Sequence, residues 1–89
     1  MISESDRATI VELSRKYGVK RILLFGSARG ESVQSLDIDL AVEGLQSKSF
    51  FKFYGELISE LSKPVDLVDL GRKTIFTSLI LKEGIPLYG

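Results

Sequence analysis

The chemistry in this sequence gathers around Asp37-Ile38-Asp39-Leu40. Two carboxylates two residues apart on a strand leave the same face, while Ile38 and Leu40 turn to the other. At a spacing of roughly 5 Å the two charges repel by about 3 kcal/mol at an effective dielectric of 20. A chain tolerates that pair if it is solvated or if a cation bridges it. Mg²⁺ suits the second case, because it accepts one or two carboxylates and completes its octahedron with water and phosphate oxygens. Asp66 stands among Val65, Leu67 and Val68, a lone carboxylate in an apolar strand. If that strand pairs beside Asp37–Val42, three carboxylates share one point. Such a group can hold two metal ions, which steady the entering and leaving oxygens of phosphoryl transfer. The chain has no histidine, so Asp66 is also the candidate to take the proton of an attacking hydroxyl. Asp69, near the end of the same segment, is expected to face solvent or a helix.

Gly26-Ser27 follows an apolar run about ten residues before the first aspartate. A glycine there lets backbone approach a ligand with no Cβ in the way. A helical turn starting at Ser27 aims N–H groups at an anion, with the serine hydroxyl as a further donor. Arg29 is a candidate phosphate partner in the same loop, though an exposed loop arginine is the simpler description. Composition narrows the choices. With no cysteine and no histidine, a disulfide scaffold, a thiolate or imidazole metal site and a cysteine nucleophile are excluded. Any metal must bind through oxygen, as Mg²⁺, Mn²⁺ or Ca²⁺ do. Twelve basic residues balance twelve acidic ones, so no positive field favours direct binding to a nucleic acid. The opening MISESDRATIVEL has no basic stretch followed by an apolar core, and no run nears the roughly 20 apolar residues of a membrane span. A soluble cytoplasmic protein without membrane contact is expected.

The elements must place these groups. At 89 residues one domain, residues 1–89, is expected. A first helix is predicted from about Ser5 to Tyr17, capped by Ser3 or Ser5 and ended by Gly18. Val19–Phe25 reads as a strand buried on both faces. Residues 26–36 read as a loop, then Asp37–Val42 alternates as a second strand and Gly44 closes it. Ser47 or Ser49 should cap a helix running to about Ser62, with Phe50, Phe53, Tyr54, Leu57, Ile58 and Leu61 on its apolar side. Pro64 halts it and Val65–Leu70 forms a third strand. Thr74–Glu83 is a last helix, apolar around more than one face, and Ile85–Tyr88 is an edge strand that tolerates Pro86. The fold class is α/β (α+β), a small mixed sheet with helices packed against it. Tyr17 and Tyr54 read as packing residues, whereas Phe51 falls off the apolar face and, with the last helix, suggests a partner surface.

The order apolar strand, Gly26-Ser27, Asp37-Ile38-Asp39-Leu40, helix, Val65-Asp66-Leu67-Val68 resembles the polymerase-β-type nucleotidyltransferase superfamily, most of all its minimal prokaryotic members. The resemblance runs from Ile22 to Tyr88. It implies that Asp37 and Asp39 ligate both metals and that Asp66 is the third carboxylate and base. Gly26 and Ser27 would bind the triphosphate. The implied reaction transfers a nucleoside monophosphate, AMP from ATP, to a hydroxyl and releases pyrophosphate. Two departures fall in the phosphate turn: Leu36 stands where the family usually has serine, with Ser35 one earlier, and the stretch from Ser27 to Asp37 is one residue shorter than usual. Minimal members are typically paired with a helical HEPN-domain toxin and act as its antitoxin, so such a partner is expected to complete the half-open site; a homodimer stays open as well. The alternatives are a non-catalytic antitoxin module of the same fold and a small-molecule, aminoglycoside-type transferase.

Overall fold

The computed structural model describes residues 2–26 and 37–89. A four-stranded mixed sheet is ordered β3-β2-β1-β4, with β1 Arg21–Phe25, β2 Ile38–Glu43, β3 Val65–Asp69 and β4 Ile85–Tyr88. β1 runs antiparallel to both β2 and β4, while β2 and β3 are parallel. The predicted fold class is the one observed, and β3 does lie beside β2, the condition on which a meeting of the aspartates rested. The helices are α1 Glu4–Tyr17, α2 Phe50–Glu60 and α3 Ile75–Glu83.

Two apolar layers fix the faces of the sheet. Ile22, Leu24, Ile38, Leu40, Val42 and Leu67 bury against Ile10 and Leu13 of α1 and Phe53 and Leu57 of α2. On the opposite face, Leu23, Ala41 and Leu70 cluster with Ile80 of α3, with Phe25 and Val68 half-buried beside them. The period of two in the strands produces this division. Among the described residues the first face carries two helices and the larger core, the second carries α3 and the smaller cluster, and Asp39 and Asp66 lie on the second.

Several boundaries shift for local reasons. Ser3 caps α1 by accepting from the Asp6 N–H at 3.1 Å, and Gly18 closes it at φ 65°, a conformation that suits glycine. Val19 is buried but precedes β1. Neither Ser47 nor Ser49 caps α2 through its side chain. Residues Ser47–Ser49 form a 3₁₀ turn instead, and the helix proper starts at Phe50. It stops at Glu60, before the predicted end, because Leu61 is already extended. Ile58, expected on the apolar side, is 56% exposed. Asp37 sits just ahead of β2, whose ladder begins where Ile38 N–H donates to Pro64 O at 2.8 Å. Thr74 caps α3 through a reciprocal bond pair with Thr77.

Polar side chains tie α1 to α2 at both ends. The carboxylate of Asp6, 4% exposed, accepts from the Ser62 N–H at 3.1 Å and from its hydroxyl at 2.5 Å. At the other end Glu56 accepts from Lys16 Nζ at 3.0 Å and from the Tyr17 hydroxyl. Donation to that carboxylate pushes the Tyr17 hydroxyl up to about 12. The Tyr17 ring meets Phe53 edge-on at 5.2 Å, so its predicted packing role holds.

Candidate active site

Parallel pairing of β2 with β3 sets Asp39 opposite Asp66 in register. Opposed residues in a ladder share a face, and Asp37, two before Asp39, precedes it on the same strand line. Burial first, then the negative charge of Asp66, then that of Asp37, push the Asp39 carboxyl above its ordinary value. Asp39 therefore feels the charge of both other carboxylates. The three do not close into a ready-made cage: among the described residues no three acidic side chains stand close enough to clasp a metal ion as they are. Asp66 is exposed and its Oδ1 lies 3.4 Å from the Tyr54 hydroxyl.

Gly26 closes β1 beside this group. Its φ is 71°, and a Cβ built on it would collide with the Asp39 carboxylate. Glycine is thus required here on two counts, conformation and space. Phe25, just before it, is opposite Asp39 in the β1–β2 register, which brings the strand end carrying the glycine against the aspartates. Ser27 and Arg29, the other candidates for phosphate, lie outside the described residues, as do Ser35, Leu36 and the predicted turn at Ser27.

The donor set fits a hard divalent cation carrying a triphosphate. It is all oxygen, it concentrates negative charge at Asp39, and it borders a backbone with no side chain in the way. Mg²⁺ needs only one or two protein carboxylates when phosphate oxygens and waters fill the remaining positions, so an open group serves as well as a closed one. Asp69 is not part of it: its Oδ1 accepts from the Gly71 N–H at 2.8 Å and shapes the turn after β3. Farther along the same sheet face a cavity of about 580 Å³ opens between Phe50 and Phe51 of α2, Val68, Arg72 and Phe76 of α3. Sequence reasoning missed both this groove and the reach of Tyr54 to Asp66. No spacing could signal the second, since the chain reverses between α2 and β3 before the two segments pack together.

A mixed sheet with paired aspartates at one strand, a third on its parallel neighbour and a glycine at the facing strand end is the arrangement to which the sequence motif pointed. The chain belongs to the polymerase beta, nucleotidyltransferase family, whose model matches residues 8–89. It is 43% identical over 76 residues to the Methanocaldococcus jannaschii protein named "Putative protein adenylyltransferase MJ1379", covering 82% of this chain and 76% of that one. A second protein of that organism and that description, MJ1215, is 46% identical over 54 residues, or 60% of this chain and 63% of the relative. The chain thus spans less than two thirds of that relative. Among solved structures, a toxin–antitoxin complex with AMP-PNP superposes with a TM-score of 0.75 at 30% identity, covering 93% of this chain and 73% of the other. A complex of tri-AMPylated Shewanella oneidensis HEPN toxin with MNT antitoxin gives 0.72 at 29% identity, covering 94% and 70%. The family is the one the sequence motif implied, and the solved structures that resemble the chain include one described as a "putative minimal nucleotidyltransferase", with a TM-score of 0.69 at 32% identity, covering 90% of this chain and 87% of the other. Among its described residues no helix is long and apolar enough to cross a membrane.

Proposed function

We propose that this chain transfers AMP from ATP to a hydroxyl on a HEPN-domain toxin and so acts as its antitoxin. The observation that carries the reading is the register of Asp39 against Asp66 beside Gly26, which gathers the acidic groups and an open backbone at one sheet end. Asp37, Asp39 and Asp66 hold Mg²⁺ or Mn²⁺, and Gly26, Ser27 and Arg29 bind the triphosphate. Bound there, the metal neutralises phosphate charge and orients the α-phosphorus. Asp66 accepts the proton of the attacking hydroxyl. The hydroxyl oxygen bonds to the α-phosphorus, the bridge to the β-phosphate breaks, and pyrophosphate leaves.

The choice of nucleotide and acceptor is supported by the neighbours: one was solved with AMP-PNP, and another holds an AMPylated HEPN toxin. The partner surface is supported by α3 and the start of α2, where Phe51 and Phe76, 81% and 52% exposed, line one groove and Ile75, next to Phe76 in the chain, is 91% exposed. Apolar side chains this exposed and gathered on one surface are typical of surfaces that become covered. The experiment is co-incubation with a HEPN-domain partner, Mg²⁺ and ATP. The intact mass of the partner should rise by whole AMP units with the parent chain and stay fixed with Asp37→Asn plus Asp39→Asn. Neutralisation of the toxin by the double variant, without modification, would favour a contact-only antitoxin instead.

A further inference from the structure

Tyr54 does more than fill space. Its ring leans edge-on against Phe50 at 5.9 Å and joins the larger core cluster, which fixes where its hydroxyl arrives. That hydroxyl donates to the Val65 carbonyl at 3.0 Å and lies 3.4 Å from Asp66 Oδ1. Among the described residues β3 is an edge strand, and Tyr54 supplies a donor to its Val65 carbonyl. The same hydroxyl is thereby anchored one residue from an exposed carboxylate that would otherwise turn freely among its rotamers. A single O–H proton is shared between the two acceptors, with the carbonyl nearer.

We infer that Tyr54 is a positioning residue for Asp66: it restrains Oδ1 at the sheet edge so that the second carboxylate oxygen is left for the site. Hydrogen-bonded partners of metal-binding carboxylates act this way, and their loss commonly weakens metal binding by roughly 10–100-fold. The inference rests on the proposed reading of Asp66 as the third carboxylate. It assigns Tyr54 no contact with substrate.

The test is a double-mutant cycle read by Mn²⁺ electron paramagnetic resonance on the full chain in the presence of AMP-PNP, which needs neither acceptor nor turnover. Asp66→Asn should weaken Mn²⁺ binding about tenfold or more, and Tyr54→Phe should also weaken it about tenfold. In the Asp66→Asn background, Tyr54→Phe should add nothing further, because its effect passes through the carboxylate. A merely structural role would make the two losses multiply, and that result overturns the inference. So does a Tyr54→Phe chain that binds Mn²⁺ as the parent does while Asp66→Asn is weakened. If Asp66→Asn itself leaves the affinity unchanged, the reading of Asp66 as a ligand fails and this inference falls with it. The two failures are thus told apart by the single variants.

Discussion

Asp39 carries the tension of the site, because a half-buried carboxylate faces Asp66 across the ladder and follows Asp37 along the chain. Its folded-state pKa is raised, so the native chain takes up its proton at a higher pH than the unfolded chain does. Its charge therefore opposes folding at neutral pH, and that cost fades as pH falls through the folded-state value. Asp39→Asn is expected to raise Tm at pH 7 by a few degrees, since a solvent-screened repulsion of this kind amounts to under about 1 kcal/mol. The same substitution should lower AMP transfer at least about a hundredfold, a loss beyond that of most residues one step removed from a metal. Calorimetric unfolding and a transfer assay on one preparation check both halves. Gly26→Ala should do the reverse to stability. It places a Cβ against Asp39 at φ 71°, and should cost about 1–3 kcal/mol along with activity, measurable by urea unfolding. Asp37, Asp39, Asp66 and Gly26 were all legible in the sequence, because their types are chemically distinctive and their spacing is local. Tyr54 was not: a tyrosine at helical spacing reads as packing, and only the turn through Pro64 carries its hydroxyl to Val65 and Asp66.

At the scale of elements, periodicity located the three α-helices and the four strands among the described residues, and cap residues marked the start of α1 and α3. Strict alternation in residues 37–42 and the buried run of β1 marked those strands without naming their partners. Two expectations at α2 were not met. Ser49 looks like a helix cap, yet Ser47–Ser49 wind into a 3₁₀ turn without a side-chain cap bond. Ile58 fits the helical stripe, yet it is exposed, while Phe53 and Leu57 of the same stripe are buried. Asp6 shows the limit most clearly. In the sequence it is an acidic residue in a first helical turn, favoured there by the helix dipole. In the fold it is buried and receives both donors of Ser62. Asp6→Ala would leave the Ser62 N–H without that acceptor and should cost about 1–3 kcal/mol, seen as a lower urea midpoint with no change in nucleotide affinity. Equal loss of nucleotide affinity would mean that the α1–α2 clamp reaches the site.

The whole molecule is a sheet with one face fully dressed by α1 and α2 and the other half-covered by α3. The half-covered face holds the acidic group, the aromatic groove and the exposed apolar side chains of α3. Under the proposed function the two surfaces take separate roles, one for stability and one for the partner. Ile75→Asp should leave Tm within about 1 °C, since exposed positions away from special contacts usually shift stability by under ~0.5 kcal/mol. It should also weaken binding to a HEPN-domain partner at least about tenfold, by the loss of a buried apolar contact at an interface centre. Surface plasmon resonance on the purified pair measures it. Apolar residues all round α3 hinted at this surface in the sequence; the cavity did not, since it arises from three segments brought together by folding.

The central claim is that the aspartates of β2 and β3 bind a nucleotide through a divalent cation. Titration calorimetry of the isolated chain with AMP-PNP, with and without Mg²⁺, and again with Asp37→Asn plus Asp39→Asn, tests it most directly. Saturable binding that requires both Mg²⁺ and the two aspartates is the predicted result. Binding of equal strength without the metal, or in the double variant, would contradict it.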